Sequence, residues 1–589
     1  MSMNSQKTKS SSQSFLKGAF ILTLSMVAVK LCGLMQKVLL TNLYSTLEGT
    51  YAEFGTALFS NAYELYVPLF TLATVGFPIA VSRLVSENYA KERYNDIRRI
   101  YKVAVPFFIF MGVSCFLLMV VGSFWYVNYI NSPYSLLAMM VLAPTIFFGC
   151  LVSVYRGYFE GLRNMTPTAV SEVIEAFSKI AIGVVISYII VFWGKSQLES
   201  TGTLFGLTFE TADEAYRTLV SFSVAASIFG ITMGSVISFL YLRIRFALKK
   251  GDIPKDYYER SIEARSKRET FKIMCKTALP VGIGAVVMSV SSTIDATIIQ
   301  NLMLNMAINQ PQALLSEFNH LLDSEISPDP EKITIHTCIW GYYSAAVTLS
   351  SLVVSVTQVF GTSAMPNVTN AYTKGNREEL KESIESVLRL TTMVAFPCAL
   401  GLAVLAKPIL MLVYHNPNIS VFGGEVLSVL GISVIFMGTI TPLCSMLQGV
   451  GKVNTTMYIY IFGTLSKILV SYLFARNVEI NIVGAAIGSL VSNFLMCVVA
   501  MFLLVRSTRI VPNFLSSVIK PMAAAIVCGG AAYLCYYVLN LHVLLSIGIA
   551  ALFYLISLVV LHTFTRGDLL MIPKGEKIVK TLEKLHLLR

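Results

Sequence analysis

Apolar runs dominate the chain. Fourteen reach the roughly 20 mostly apolar residues that a membrane-crossing helix requires. They fall at 15–41, 56–88, 100–128, 134–160, 167–194, 216–246, 271–301, 334–366, 383–414, 422–449, 453–477, 481–507, 514–540 and 543–565. The second and eighth runs are long enough to tilt in the bilayer or project beyond it. The pattern predicts an all-α polytopic membrane protein with a polar tail (1–14), six helices (15–246), a basic connection (247–270), six more helices (271–507, with an outer insert at 302–333), two last helices (508–565) and a second tail (566–589).

The two groups of six are related. Tyr155–Val185, YRGYFEGLRNMTPTAVSEVIEAFSKIAIGVV, ends one apolar run and begins the next. A copy stands 288 residues later at Leu443–Leu473: Gly161 matches Gly449, Thr168 matches Thr456, and Ser178-Lys179-Ile180 matches Ser466-Lys467-Ile468. A second echo pairs Tyr89-Ala90-Lys91 with Tyr372-Thr373-Lys374. The copies start at helices 5 and 11. Six helices is an even number, so two six-helix lobes would run in the same orientation as a parallel repeat about the membrane normal, an arrangement of two-lobed transporters. Helices 13 and 14 have no counterpart and read as an addition.

Composition agrees with this reading. Hydrophobic residues make up 55% of the 589 and charged residues 13%, against about 25% charged in soluble domains. The net charge of +12 raises nucleic acid as a partner, but the basic residues cluster in alternate loops, as membrane insertion requires. Lys7 and Lys9 lie in the first tail and Lys17 just after it, Lys91, Arg93, Arg98 and Arg99 in the 2–3 loop, and Arg156 and Arg163 at the 4–5 turn. The 6–7 and 8–9 loops and the C-terminal tail are basic too. Intervening loops are poor in Lys and Arg; the 7–8 loop carries Glu317, Asp323, Glu325, Asp329 and Glu331 against Lys332. Both termini are therefore expected in the cytoplasm, with no nucleic-acid partner. Residues 1–14 lack a small-residue cleavage site and read as a tail, not a signal peptide. The scattered cysteines and histidines show no metal spacing. Gly449-Val-Gly-Lys452 is followed by Val453, so no phosphate-cradling loop is present. With loops too short for a catalytic domain, the expectation is a non-enzyme without cofactor or metal.

Charges within apolar runs carry the chemistry, since they cost about 2.5–3.5 kcal/mol at mid-bilayer and usually face a cavity or a partner. The candidates for a substrate cavity are Lys30, Lys37, Glu64, Arg83, Glu175, Lys179, Asp295 and Lys467. Lys30 lies about 22 Å along the first helix. Glu172, Glu175 and Lys179 share one face of helix 5. Other readings stand beside these. Lys37 reaches an interface by snorkelling; Arg83, Arg156, Arg163 and Arg389 act as cytoplasmic anchors; Arg83 pairs with Glu87, and Glu175 with Lys179, each four residues apart. Lysines from both lobes would suit an anionic group, and the apolar helices 13 and 14 would suit alkyl chains, which together point to a lipid-linked phosphate.

At Gly76–Glu87, GFPIAVSRLVSE, and Arg156–Glu175, RGYFEGLRNMTPTAVSEVIE, the chain resembles the MurJ/MviN-like lipid II flippases and the related stage V sporulation protein B-like polysaccharide exporters, members of the multidrug/oligosaccharidyl-lipid/polysaccharide superfamily. The resemblance covers about residues 14–570. It implies export of an undecaprenyl-diphosphate-linked sugar from the inner to the outer leaflet by alternating access, with lipid II for peptidoglycan as first choice and capsular, teichoic-type or spore cortex precursors as alternatives. Membrane lipid and cell-wall synthesis proteins are the other partners it suggests. A cation-coupled multidrug exporter is the rival, with Glu64, Glu175 and Asp295 as its coupling acids. The resemblance also implies cavity cations on helices 1, 2 and 8. Lys30 and Lys37 fit the first, but helix 2 has no base before Arg83 and helix 8 has none, so Lys179 and Lys467 are expected in their place.

Overall fold

The computed structural model describes residues 25–47, 49–162, 164–249, 253, 255–259, 261–318, 334–477 and 479–563. The first tail with its lysines, Arg163, the insert from Asp323 to Lys332 and the C-terminal tail lie outside the described residues. Among the described residues fourteen helices are long and apolar enough to cross a membrane, as the hydropathy pattern predicts, and the chain is a multi-pass membrane protein. In chain order they are α1 Ser25–Tyr44, α2 Tyr51–Ala90, α3 Tyr94–Tyr129, α4 Pro133–Gly161, α5 Thr166–Thr201 and α6 Ala212–Leu248; α7 Lys267–Asn309 and α8 Ile335–Thr373; α9 Arg377–Val404 and α10 Pro417–Gly449; α11 Val453–Ala475; α12 Val483–Thr508, α13 Leu515–Val538 and α14 Val543–Val560. A helix satisfies its backbone hydrogen bonds within itself, which lipid cannot do for it.

Polar side chains set the helix ends. Thr211 caps α6 by accepting the Glu214 N–H at 3.2 Å. Ser266 does the same for Glu269 at the start of α7, also at 3.2 Å, in the Ser-x-x-Glu pattern of a capping box. Asn376 and Glu379 bond each other reciprocally at α9. Gly202 closes α5 in the left-handed region at φ +68°, where glycine carries no Cβ penalty.

Two spans are interrupted. α2 breaks at Val75 into Tyr51–Thr74 and Gly76–Ala90. α5 contains a π-helical turn at Lys179–Val184, between Thr166–Ser178 and Val185–Thr201. This turn lies where α5 meets α6 most closely: a Cβ on Gly230 would collide with the backbone of Gly183, and one on Gly183 with the Ser227 carbonyl. Small residues permit such backbone approach between membrane helices, and single π turns inside helices are frequent at functional sites.

The described residues form two compact units. One comprises those up to Pro311 together with 334–341; the other comprises 312–318 and those from Tyr342 onward. Hydropathy alone groups α7 with the later helices. Its polar side chains bind α2 instead: Thr293 Oγ1 donates to the Glu64 carbonyl at 2.6 Å, Ser289 Oγ to Thr71 Oγ1 at 3.0 Å, and the Gln300 and Asn61 amides bond each other at 2.9 and 3.3 Å. The first turn of α8 is fastened to the same unit. His336 Nε2 lies 3.1 Å from the carbonyls of Ile130 and Asn131; carbonyls only accept, so this nitrogen carries the proton. In the second unit α13 and α14 are tied to α9, where Thr392 Oγ1 donates to the Ser517 carbonyl and Tyr554 Oη to the Met393 carbonyl, each at 2.6 Å.

Candidate substrate site

The face of α5 that bears Glu172, Glu175 and Lys179 turns toward α1, α4 and α6. Its opposite side shows lipid the apolar Val173 and Phe177, both exposed. Ser25 Oγ of α1 donates to Glu172 Oε2 at 2.6 Å. Arg156 Nη2 of α4 donates to Glu175 Oε2 at 3.1 Å, and Ser235 Oγ of α6 donates to Glu175 Oε1 at 3.3 Å. Arg156 is steadied in turn by donating from Nε to Ser171 Oγ at 2.8 Å. Glu175 therefore does not pair with Lys179, although the four-residue spacing allows it. Lys179 is half-buried, makes no ion pair with any described residue, and has Lys30 of α1 within electrostatic reach. The sequence-predicted Lys30 and Lys179 are thus brought together.

One level along α1, Lys37 is buried and donates to Ser60 Oγ of α2 at 3.2 Å. Glu64 is one turn past Ser60 on the same face of α2 and within electrostatic reach of Lys37. The snorkelling reading of Lys37 fails here, because its ammonium is held by α2 inside the unit. Between these levels α2 carries an aromatic ladder. Phe59 stacks on Tyr63 at 5.0 Å and Tyr66 on Phe70 at 4.9 Å, with Tyr63 and Tyr66 within reach of Glu175. Asp295 is buried on α7. Arg83 is exposed at the far end of α2, and its expected partner Glu87 instead accepts Lys91 Nζ at 2.6 Å. A free surface position gives Lys91 the shorter route to that carboxylate. Lys467 is half-buried on α11, in the second unit.

Taken by itself, the second unit holds an apolar hollow of about 370 Å³ between α8, α9, α13 and α14, lined by Pro397, Leu402, Cys528, Ile547, Ala551 and Tyr554 among others. Its walls are almost entirely carbon and suit an alkyl chain. Sequence reasoning missed a further cluster. Arg217 is buried at the start of α6, donates to Asp213 Oδ2 at 2.7 Å, and lies 4.9 Å over the Phe54 ring; Tyr51 Oη donates to Asp213 Oδ1 at 2.9 Å. The signal was the Asp213/Arg217 four-residue spacing beside aromatic residues.

Comparison with known proteins defines the family. The family profile described as "Polysaccharide biosynthesis protein" matches residues 15–371, more than half of the chain. The chain belongs to that family. The MatE profile matches residues 341–473. Lipid II flippase MurJ of Bacillus subtilis (strain 168) is 21% identical over 495 residues, 82% of this chain and 81% of the relative. Stage V sporulation protein B of the same strain is 21% identical over 481 residues, 81% of this chain and 80% of the relative. Among solved structures, lipid II flippase MurJ in an inward closed conformation aligns with TM-score 0.60 at 13% identity, covering 92% of this chain and 99% of that one. An inward-facing multidrug resistance MATE family transporter of the MOP superfamily aligns with TM-score 0.56 at 14% identity, covering 83% and 98%. At these identities the structural likeness concerns the fold, and the fold is that of the MurJ and MATE transporters.

Proposed function

We propose that this protein is a flippase that moves an undecaprenyl-diphosphate-linked cell-wall precursor, lipid II by first choice, from the inner to the outer leaflet by alternating access. The observation that carries the reading is the Lys30/Lys179 face on α1 and α5 in a chain of the polysaccharide biosynthesis protein family. Two cations within electrostatic reach of each other, with the neighbouring acids engaged elsewhere, suit a diphosphate. The α2 aromatic rings suit sugar faces. A membrane potential supplies the work: about 2.3 kcal/mol per charge per 100 mV favours outward movement of an anion from a negative interior. No coupling ion is then needed. Both termini are placed in the cytoplasm on the same reading, from the alternating loop charges.

A second reading keeps the chemistry and changes the glycan. Stage V sporulation protein B matches as well as MurJ does, which favours a lipid-linked precursor of another polysaccharide as the alternative. The multidrug-exporter reading is served less well, since facing lysines repel a cationic drug. The deciding experiment depletes the protein and measures the leaflet distribution of labelled lipid II. Build-up in the inner leaflet is expected. Normal distribution of lipid II, with build-up of a different undecaprenyl-linked glycan, would select the second reading.

A further inference from the structure

Within one turn of α5 a glutamate and a lysine stand in the order and spacing that favours an ion pair, Glu at i and Lys at i+4. The pair does not form because Glu175 is held elsewhere. One carboxylate oxygen accepts Arg156 Nη2 at 3.1 Å and the other accepts Ser235 Oγ at 3.3 Å. Arg156 reaches this position across the α4–α5 turn, with its Nε tied to Ser171 Oγ at 2.8 Å and Ser171 Oγ donating in turn to the Thr168 carbonyl at 2.7 Å. Glu160, one turn further along α4, also lies within reach of Arg156. The other acid of the stripe, Glu172, accepts Ser25 Oγ.

That same contact fixes the relative height of the two lysines. α1 and α5 are both odd-numbered spans and run in the same direction. Lys30 lies five residues beyond Ser25 and Lys179 seven beyond Glu172, about 7.5 and 10.5 Å at 1.5 Å per residue. They therefore stand at nearly one level, an exposed and a half-buried ammonium within electrostatic reach of each other. Such a pair is relieved by an anion placed between them.

We propose that Arg156 is a positioning residue of this site: by holding Glu175 in an ion pair, it keeps Lys179 from being neutralised within its own helix and so leaves Lys30 and Lys179 available to a diphosphate. This rests on the flippase reading above. A guanidinium suits the task because it stays charged at every relevant pH and its fixed fork engages Ser171 and Glu175 at once. Loss of Arg156 then costs more than one positive charge, because the freed Glu175 turns to Lys179.

The test measures binding of farnesyl diphosphate, with farnesol as the uncharged control, to the full-length protein in lipid nanodiscs. The wild type is expected to prefer the diphosphate, and Lys179→Ala to weaken its binding about tenfold or more, the scale of a lost charge-assisted contact. Arg156→Ala is expected to weaken it about tenfold. The double variant Arg156→Ala/Glu175→Gln is expected to recover to within about threefold of wild type, because no carboxylate remains to seize Lys179. Glu175→Gln alone, which retains Arg156 and its link to Ser171, is expected to tighten binding, and it serves as the readout should Arg156→Ala fail to fold. A double variant as weak as Arg156→Ala, or a Glu175→Gln variant as weak as Lys179→Ala, overturns the positioning role while leaving the lysine site intact. Equal binding of farnesol and farnesyl diphosphate by the wild type, or no loss in Lys179→Ala, overturns the diphosphate site and this role with it.

Discussion

The stripe on α5 and its copy on α11 share a lysine and little of what surrounds it. At the offset that pairs Lys179 with Lys467, Glu172 is replaced by Tyr460, Glu175 by Gly463 and Arg156 by Cys444. The charged network of the first unit becomes, in the second, a buried tyrosine and cysteine within bonding reach of each other and a glycine whose carbonyl accepts Ser492 Oγ at 2.7 Å. The backbone differs in the same place. α5 takes a π turn at Lys179–Val184, whereas Val453–Ala475 is one uninterrupted α-helix. Close helix packing survives the change: Gly183 against Gly230 in the first unit, and Ser471, its counterpart, against Gly488 in the second. The repeat has kept a lysine on a tightly packed helix and replaced the three charged neighbours of the first copy with uncharged residues in the second. In the first copy an ion pair elsewhere leaves the lysine within electrostatic reach of another cation.

That difference predicts unequal roles, and the largest expected effect tests it first. Lys179→Ala should lower transport of the lipid-linked precursor about 10- to 100-fold, since a charge-assisted contact is worth about 1.5–3 kcal/mol and each 1.4 kcal/mol is tenfold. Lys467→Ala should lower it by less, about threefold, equivalent to roughly 0.6–0.7 kcal/mol. Complementation of a depleted strain, with membrane levels of each variant matched, makes the comparison. Equal losses would mean that the charged surroundings of Lys179 are incidental and that the two units contribute alike.

The fourteen spans were legible because a bilayer leaves the backbone almost no alternative to long apolar helices, and the lysines were legible because charge in such helices is costly. The partners of those charges were not legible. Local spacing pairs Glu175 with Lys179 and Arg83 with Glu87; the structure pairs Glu175 with Arg156, nineteen residues away, and Glu87 with Lys91. A four-residue spacing records only that two side chains can meet. A guanidinium delivered by a neighbouring helix, already aligned by Ser171, outcompetes a flexible lysine whose pairing would cost it side-chain entropy. The attachment of α7 to the first unit was hidden for a related reason. Hydropathy sees apolar residues, whereas Thr293, Ser289 and Gln300 make the connection. The π turn rests on Gly183 meeting Gly230 across 47 positions of sequence, a contact no local pattern on α5 announces.

The two glycine contacts offer a second, smaller test of the comparison. Gly230→Ala places a methyl against the Gly183 backbone, and Gly488→Ala places one against Ser471. Each should destabilise the purified protein by about 1–3 kcal/mol, the usual cost of overpacking, read as a lower thermal midpoint. The first should also depress transport beyond its effect on stability, because the π turn that begins at Lys179 sits on that contact. A Gly488→Ala variant that loses more transport than Gly230→Ala at matched membrane levels would shift the functional weight to α11.

The smallest expected effect concerns the part of the second unit that the first lacks. α13 is joined to α9 by the hydroxyl of Thr392, which donates to the Ser517 carbonyl at 2.6 Å inside a π turn, Leu515–Ile519. A carbonyl in a π turn is a poorer partner for its own helix, so an outside donor helps satisfy it. Thr392→Val keeps the shape and removes the donor. The loss should be about 1 kcal/mol in stability, with transport changed by less than about twofold if the added helices serve only as a fixed wall for the apolar hollow. A stability loss of that size accompanied by a much larger fall in transport would show instead that α13 has to move against α9 during the cycle. The two added helices would then belong to the transport machinery and not merely to its scaffold, and the comparison between the units would have to include them.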